Sequence, residues 1–242
     1  MDFKTSAPKP DKRLGTAMLY LRKGKILADI GTDHAYLPIY AVANGISRCA
    51  IASDIGKSPA ERARLHVASY GLSDKIKVLC TEGLNGIEKY SPDDISIFGM
   101  GGELIARILS NAEWVKNVGI RLILQPMTSA DFLRVFLAEN GFAVIGETLS
   151  EEDGRLYVTI ACEFDGVKRQ LSPEEALLGE RNIENGLENP LFERLLCKTI
   201  NTYKNRFDGK SKAGLDTSEE EQVLGALFKI KKDIERRKGE ML

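Results

Sequence analysis

The stretch Ile26–Pro38, ILADIGTDHAYLP, most constrains what this chain can fold into. It opens with a short apolar run, which is typical of a buried strand. Gly31 follows this run and lets the backbone turn sharply and approach a ligand closely, because glycine has no Cβ. Asp33 and His34 come next, ahead of a helix that we expect Pro38 to open near its first turn. A strand, an acidic glycine-bearing turn and a helix predict a nucleotide-type site at the carboxyl edge of a parallel sheet.

The glycine pattern GxGxxG, which marks dinucleotide-binding folds, is absent after this strand. The pyrophosphate of NAD binds at a glycine-lined helix N-terminus, whereas S-adenosylmethionine (SAM) has no pyrophosphate. The turn therefore favours SAM over NAD as the cofactor. The sequence also lacks a P-loop, an HExxH motif and a serine–histidine–acid spacing, so it gives no indication of a kinase or hydrolase.

The composition is that of an ordinary globular protein, with 43% hydrophobic and 29% charged residues. A length of 242 residues is sufficient for one α/β domain and an appendage. The formal net charge is −1, so a nucleic-acid partner requires a local basic patch. No apolar run approaches the roughly 20 residues that span a bilayer, and the N-terminus lacks the apolar core of a signal peptide. We therefore expect a cytoplasmic protein without a membrane partner.

The cysteines are scattered singly along the chain, without CxxC spacing. They are Cys49, Cys80, Cys162 and Cys197. Most of them lie within apolar runs, so we expect buried free thiols in a reducing compartment rather than disulfides. We expect no metal site.

Apolar runs alternate with helical patterns from Ile26 to Phe164, which predicts a mostly parallel sheet with covered faces. The predicted strands are Ile26–Ile30, Arg48–Asp54, Ile76–Thr81, Ile95–Phe98, Arg121–Gln125, Ala143–Leu149 and Leu156–Phe164. The predicted helices are Pro38–Asn44, Pro59–Ser69, Glu103–Ser110 and Ser129–Glu139, with a short connection at Leu84–Lys89. Asp153 and Gly154 are a hairpin signal, so the last two strands should be antiparallel. A seven-stranded sheet of this kind, α/β and Rossmann-like, is typical of a class I SAM-dependent methyltransferase.

The character of the chain changes after Gly166, where the strand patterns end. We therefore predict a methyltransferase domain over residues 1–166 and a helical, coiled-coil-like domain over residues 167–242. Ser172 and Glu175 have the spacing of a capping box, which predicts the start of a helix.

Two long helices are predicted in the second domain. Apolar residues at helical spacing indicate one helix around residues 191–207, followed by a polar turn at residues 208–216 and a helix that begins near Ser218. The second helix carries a narrow apolar seam of Val223, Leu227, Ile230 and Ile234. This seam predicts a helical hairpin, and it fits a homodimer contact, a lid on the sheet or a substrate-gripping arm equally well.

Two basic clusters stand out from an otherwise mixed charge pattern. One comprises Lys229, Lys231, Lys232, Arg236, Arg237 and Lys238, and the other comprises Lys9, Lys12, Arg13, Arg22, Lys23 and Lys25. We favour the N-terminal cluster for phosphate contact, because it lies just before the strand that carries the candidate site. The alternative is a lysine-rich edge that serves solubility alone.

Ligands of an open parallel sheet bind beyond the carboxyl ends of its strands, so the residues at and just after each strand end are the candidates for the site. The nominated cofactor residues are Asp29, Gly31, His34, Asp54, Glu82, Gly83, Gly99, Met100 and Gly101. Among them, Asp54 is expected to accept hydrogen bonds from the ribose hydroxyls, and Glu82 with Gly83 to meet the adenine ring. The nominated substrate residues are Arg13, Tyr36, Gly102, Gln125 and Pro126.

Several of these residues have a purely structural alternative. Asp29 could simply order the turn by accepting backbone N–H bonds, and His34 could be a hydrogen-bonded structural histidine. Tyr36 could stack on a base or fill the entrance of the helix, and His66 is expected to be a surface or packing residue. The glycines around Met100 are costly in backbone entropy, which favours a tight turn or the close approach of a substrate.

Four segments together resemble a known family: LADIGTDHAYLPIY, ASDIGKSPAERAR, GMGG and LILQPM. They are similar to the TrmK-type bacterial tRNA (adenine-N1)-methyltransferases, which modify adenine 22. The resemblance covers the chain from about Arg13 to Phe164, and the helical tail also fits that architecture. Thr32 stands where serine is usual, and Met127 stands where many members carry asparagine. A substrate contact made by that asparagine is therefore not expected here.

The resemblance implies SAM as methyl donor, tRNA as substrate and N1 of adenine 22 as the acceptor. Because N1 already has a lone pair, no strong general base is required. We expect Asp33 to be the catalytic residue, accepting the N6 amino hydrogens of the adenine, with the backbone carbonyls of the GMGG turn as alternative acceptors. Two other functions fit the fold: a methyltransferase acting on a small molecule or protein, and a non-catalytic RNA-binding protein.

Overall fold

The apolar runs of the sequence form one seven-stranded sheet in the computed structural model, which describes residues 10–186 and 189–240. The strands are β1 (Lys25–Ile30), β2 (Ser47–Asp54), β3 (Ile76–Cys80), β4 (Asp94–Met100), β5 (Arg121–Pro126), β6 (Phe142–Glu152) and β7 (Arg155–Phe164). Their order is β3-β2-β1-β4-β5-β7-β6. The first five strands are parallel, whereas β7 is antiparallel to both of its neighbours. The predicted class I methyltransferase sheet is confirmed.

The chain order reverses between β1 and β4, which are neighbours in the sheet. Asp29 of β1 pairs with Ala52 of β2 on one side and with Ser96 of β4 on the other. Such a reversal opens a crevice at the carboxyl edge of an open α/β sheet. The turns that follow β1, β2 and β4 therefore meet at one place.

Helices cover both faces of the sheet, because alternate strand residues point to opposite sides. The helices of this part are α1 (Lys12–Gly15), α2 (Tyr36–Ala43), α3 (Lys57–Ser69), α4 (Gly102–Ser110) and α5 (Ala130–Glu139), with 3-10 turns at Thr16–Leu19, Glu88–Tyr90 and Glu113–Lys116. Leu27 and Ile123 belong to the apolar cluster that includes residues of α2 and α3. Ala28 and Leu122 belong to the cluster that includes residues of α4 and α5.

The predicted strands and helices of this part each differ from the structure by one to three residues at one or both ends, and the following differences are the largest or change the interpretation. The α2 helix begins at Tyr36, so Pro38 is its third residue and not its first. The connection Leu84–Lys89 contains only turns and the start of the 3-10 helix at Glu88. The hairpin is longer than predicted, because pairing continues to Glu152 and Arg155 at the base of its turn.

The chain divides into two compact units, Met1–Arg169 and Gln170–Leu242, whereas the predicted boundary lies between residues 166 and 167. The second unit contains α6 (Pro173–Leu178), α7 (Glu180–Glu184), α8 (Pro190–Lys212) and α9 (Ser218–Glu240). The capping box at α6 is confirmed: Glu175 N donates to Ser172 Oγ over 3.3 Å, and Ser172 N donates to Glu175 Oε2 over 2.7 Å.

The predicted turn at residues 208–216 is wrong for its first five residues, which complete α8. Gly214 ends the helix instead: it has a φ of +65°, and its N–H and that of Leu215 donate to carbonyls of the last helical turn. A glycine in the left-handed region is the usual helix terminator, whereas a glycine inside an exposed helix is tolerated.

The apolar seam of α9 is covered within this chain. Val223, Leu227 and Ile234 are buried, and Ile230 is half-buried. The α8 helix lies alongside α9, so the two form the predicted helical hairpin without a second copy of the chain.

The prediction of buried thiols is wrong for two of the four free cysteines. Cys162 is buried, and burial raises the pKa of its thiol. Cys80 and Cys197 are exposed, because Cys80 ends the edge strand β3 and Cys197 lies on an outer position of α8.

Within residues 10–186 and 189–240, no three His, Cys, Asp or Glu side chains are grouped so that they could hold a metal ion. The helices of the same residues are all too short or too polar to cross a membrane.

Candidate active site

The turn after β1 is built over the buried carboxylate of Asp29. One oxygen of this carboxylate accepts from Ser96 Oγ and the other from Thr32 Oγ1, both over 2.6 Å. Asp29 thereby joins β1, β4 and the turn. The structure thus shows Asp29 ordering the turn through side-chain hydroxyls, and places it beneath the turn.

The backbone of this turn is held by β2 in a conformation that L-residues rarely adopt. The N–H groups of Gly31 and Thr32 both donate to Ser53 O, over 2.8 and 2.9 Å. Asp33 and Ala35 have φ values of +47° and +55°, in the left-handed region. Each such residue costs on the order of 1–2 kcal/mol, so the surrounding contacts must hold the turn in place.

The carboxylate of Asp33 faces α3. Its Oδ1 accepts from Arg62 Nη2 over 2.6 Å, and its Oδ2 lies 3.5 Å from His34 Nε2. The Asp33 side chain is 54% exposed and that of Arg62 is 45% exposed. Asp33 therefore keeps one oxygen largely available, at a site open to solvent.

Asp54 is the last residue of β2, and it connects the turn after β1 with the turn after β2. Its Oδ1 accepts from Gly56 N over 2.9 Å, and its Oδ2 accepts from Asp33 N over 3.3 Å. A carboxylate has about four acceptor positions, so Asp54 can accept further hydrogen bonds from ligand hydroxyls.

A cavity of about 390 Å³ opens at this edge of the sheet, within the size range of small-molecule sites. Its lining includes five of the predicted cofactor residues, Gly31, Asp54, Glu82, Gly83 and Met100. The other four, Asp29, His34, Gly99 and Gly101, are not among the lining residues. The cavity thus collects residues from the ends of four parallel strands.

One wall of the cavity comes from α4 and was not predicted. Leu104, Arg107, Ile108 and Asn111 lie on one face of this helix and at its end, and all four line the cavity. The signal was present in their helical spacing after the GMGG turn. Ile55 was missed as well, although it directly follows Asp54.

The GMGG turn after β4 is joined to the turn after β5 by backbone hydrogen bonds. Gly102 N donates to Thr128 O, and Met127 N donates to Met100 O, each over 2.8 Å. Gly99 has a φ of +77°, and a Cβ at Gly102 would collide with the carbonyl of Ser129. The glycines therefore serve a tight turn and a close approach of two backbone segments.

The predicted substrate residues Arg13 and Gln125 form one contact. Arg13 Nη1 donates to Gln125 Oε1 over 3.0 Å, and the Arg13 guanidinium lies 5.9 Å from the centroid of the Tyr157 ring. Gln125 is fully buried. Pro126 pairs with Met100 at the end of the sheet, so this group lies next to the GMGG turn.

Tyr36 lies outside the cavity in a row of aromatic rings. Its ring centroid is 5.5 Å from that of His34 and 5.1 Å from that of His66, and His66 is 5.2 Å from Tyr70. Tyr36 is 41% exposed, so one side of its ring is open. Its contact with a substrate base stays a prediction.

Comparison with known proteins identifies the family. A profile described as a methyltransferase domain matches residues 11–160. The tRNA (adenine(22)-N(1))-methyltransferase of Bacillus subtilis is 43% identical over 166 residues, which cover 66% of this chain and 70% of that protein. The crystal structure of the B. subtilis m1A22 tRNA methyltransferase TrmK superposes with a TM-score of 0.78 at 34% identity, over 93% of this chain and 98% of that one. The chain belongs to the TrmK family.

Two further structures of similar proteins were determined with a ligand. Mycoplasma capricolum TrmK, in complex with S-adenosyl-homocysteine, has a TM-score of 0.75 at 25% identity and covers 93% of this chain and 98% of its own. Sp1610 of Streptococcus pneumoniae, in complex with S-adenosyl-L-methionine, has a TM-score of 0.73 at 33% identity with the same coverage.

The cavity of this TrmK family member fits an adenosine-containing cofactor on its own geometry. Asp54 brings a carboxylate to the cavity, and Ile55, Leu84 and Ile108 bring apolar surface, a combination that suits a ribose and a flat ring. Gly31 leaves space that a side chain would fill, because a Cβ there would collide with the end of Met100.

Replacement of Gly31 by alanine tests this close approach. The φ of +76° is strained for alanine, and the added Cβ pushes Met100 into the cavity. We expect SAM affinity to fall by about 10-fold or more, measured by calorimetry. Gly45→Ala is the matched control, because Gly45 has a φ of +65° but open space around it. It should lose about 1 kcal/mol of stability and keep SAM affinity; equal loss of affinity in both variants would argue against a specific role of Gly31.

The buried Asp29 makes stability depend on pH. Burial raises the pKa of Asp29 above its usual range, and the hydrogen bonds from Ser96 and Thr32 oppose this shift without cancelling it. The pKa of Asp29 is therefore higher in the folded protein than in the unfolded chain, where it is about 4. The stability that the protonated Asp29 contributes is present below that pH and is lost as the pH rises through the pKa of the folded protein. An Asp29→Asn variant lacks this titration. In urea unfolding at a series of pH values, the free energy of unfolding of the variant should therefore rise relative to that of the wild type as the pH rises. A difference between the two proteins that does not change with pH would mean that the pKa of Asp29 is not raised.

Proposed function

We propose that this protein transfers the methyl group of SAM to N1 of adenine 22 in tRNA. One observation carries the proposal: the cavity at the carboxyl edge of the sheet, beside the GMGG turn, lies in a chain 43% identical to the B. subtilis enzyme that performs this reaction. The SAM and S-adenosyl-homocysteine complexes of similar proteins support the cofactor.

Different residues of the chain bind the cofactor and align the acceptor in the proposed reaction. SAM supplies an electrophilic methyl group on a sulfonium, so the protein has to align the acceptor and needs no strong base. Asp54 holds the ribose, and the apolar cavity walls hold the adenine of the cofactor. The target adenine has to leave the tRNA stack to reach the site, as in other enzymes that act on a base.

Asp33 is the proposed catalytic residue. Within residues 10–186 and 189–240, the one polar contact of its Oδ2 is a long one with His34, so Oδ2 can accept a hydrogen of the N6 amino group of the target adenine. A carboxylate at this place raises the electron density at N1 and stabilises the cationic product. The substrate contacts predicted for Arg13 and Tyr36 belong to the same proposal. The predicted substrate residues Gly102, Gln125 and Pro126 are buried, so they would act by shaping this edge of the site.

The reaction is tested with purified protein, labelled SAM and an unmodified tRNA transcript, followed by nucleoside mass spectrometry. We expect 1-methyladenosine at position 22, and none in a matched transcript with guanine at that position. SAM binding without methylation of any tRNA would contradict the tRNA substrate and favour a small-molecule or protein substrate, or a non-catalytic RNA-binding role.

An Asp33→Ala variant tests the catalytic residue. We expect kcat to fall by about 100-fold, the scale of one lost electrostatic contact in a transition state, with SAM affinity largely unchanged. Asp74→Ala is the control, because Asp74 is an exposed carboxylate between α3 and β3. A loss of SAM affinity equal to the loss of turnover would place Asp33 among the cofactor residues instead.

The helical unit and the N-terminal basic cluster are proposed to bind the tRNA. Several lysines and arginines of α9 are paired with acidic residues, but Lys229, Lys232 and Arg237 make no ion pair among the described residues. Basic side chains that are free of internal partners can bind phosphates. Lys9 of the N-terminal cluster lies outside the described residues.

A homodimer through the C-terminal helices and a cytoplasmic location stay predictions.

Deletion of Ser172–Leu242 tests the proposed arm. The first unit has its own core, so we expect SAM binding to remain and tRNA binding, measured by filter retention, to be lost. Unchanged tRNA affinity of the shortened protein would contradict a role of the helical unit in tRNA binding.

A further inference from the structure

Two side chains of α3 contact the strained turn after β1. Arg62 Nη2 donates to Asp33 Oδ1 over 2.6 Å, and His66 Nδ1 lies 2.7 Å from His34 O. Residues four apart on a helix lie on the same face, one above the other. One face of α3 therefore holds two consecutive residues of the turn, one by its side chain and the other by its backbone.

Both side chains are fixed by further contacts. Arg62 Nη1 donates to Ser58 Oγ over 2.9 Å, one helical turn away. The His66 ring stands edge-on to Tyr36 and Tyr70, with interplanar angles of 81° and 75°. Because a carbonyl oxygen only accepts, His66 Nδ1 must be the donor, which defines the protonated nitrogen of the ring.

The turn needs such support at the places where it is strained. In β2, the Ser53 carbonyl holds Gly31 and Thr32, and the Asp54 carboxylate accepts from Asp33 N over the longer distance of 3.3 Å. The left-handed residues are Asp33 and Ala35. Non-glycine residues persist in this region only when their surroundings over-determine them. The side chains of α3 contact Asp33 and His34, so α3 and β2 together hold the whole turn in its strained conformation.

We propose that Arg62 and His66 are positioning residues for methyl transfer, which act by aiming the Asp33 carboxylate at the target adenine. This inference rests on the proposed function of Asp33. Neither residue lines the cavity, so neither is expected to touch the cofactor. Arg62 engages Oδ1 at short distance and leaves Oδ2 for the amino group, so the ion pair orients the carboxylate without occupying it.

The first test is an Arg62→Met variant of the full chain. Methionine keeps an unbranched apolar chain but cannot hold the carboxylate. We expect kcat to fall between about 10- and 100-fold, because small misplacements of a reacting group have effects of this size. The affinities for SAM and for tRNA should stay within about twofold, and Arg62→Lys should restore part of kcat.

Arg64→Met is the matched control. Arg64 lies on the same helix and is half-exposed like Arg62, but its ion pair is with Glu61 of α3 and not with the turn. We expect wild-type kcat from this variant. A kcat loss in Arg64→Met equal to that of Arg62→Met would overturn the proposal, because it would show a general effect of charge on α3.

A double-mutant cycle with Asp33→Ala separates positioning from other roles, because alanine has no acceptor for Arg62 to orient. If Arg62 acts through Asp33, Arg62→Met should have almost no further effect on kcat in the Asp33→Ala background. The same fold loss in both backgrounds would overturn the inference while leaving the proposed reaction intact. A fully active Asp33→Ala enzyme would instead contradict the proposed catalytic residue, and absence of methylation by the wild type would contradict the proposed function.

His66 provides a second, independent variant. His66→Asn retains a donor near the position of Nδ1, whereas His66→Leu removes it. We expect kcat in the order wild type, His66→Asn, His66→Leu, with SAM affinity unchanged. Weaker tRNA affinity with unchanged kcat, in this series or in Arg62→Met, would overturn the proposal in favour of a direct RNA contact by α3.

Discussion

The structure depends on the carboxylate of Asp29, which is buried and joins three elements. It accepts one hydroxyl from β4 and one from the turn after β1, while its own strand lies between β2 and β4. Burying a carboxylate is unfavourable, and here hydrogen bonds to both of its oxygens offset part of that cost. The hydrogen bonds of the Asp29 carboxylate therefore form the floor of the crevice where the strand order reverses, while apolar clusters cover the rest of the sheet.

The site above this carboxylate combines rigidity with exposure. Its backbone is held by hydrogen bonds to Ser53 and Asp54, whereas the side chains of Asp33 and Tyr36 are about half-exposed. Exposed polar groups on a fixed backbone are suited to a large substrate, which covers these groups when it binds. The cofactor cavity, in contrast, is lined by residues that converge from several strands and from α4.

Hydrophobic periodicity and the strand-end rule predicted the sheet and part of the cavity lining. Gly31, Asp54 and Met100 lie at or directly after the ends of strands, so their meeting is a consequence of parallel topology. The contacts of Arg62 and His66 with the turn, and the place of Arg107 in the cavity wall, were not predicted, because these residues lie on helices. Which helical face meets a strand end depends on packing, and single-sequence periodicity does not resolve it. The end of α8 was misplaced for a related reason. Gly209 and Gly214 could each end the helix, and the sequence does not show which of the two does so.

The close approach of Gly102 to Ser129 has a consequence for how this family can vary. Loops at the carboxyl edge of an α/β sheet usually tolerate insertions and deletions, which is how related proteins acquire new substrates. Here the turns after β4 and β5 are joined backbone to backbone, so an added residue in one would break its contact with the other. The two turns can therefore change in length only together, and diversification of the substrate is more easily accommodated in the hairpin or in the helices than at this edge.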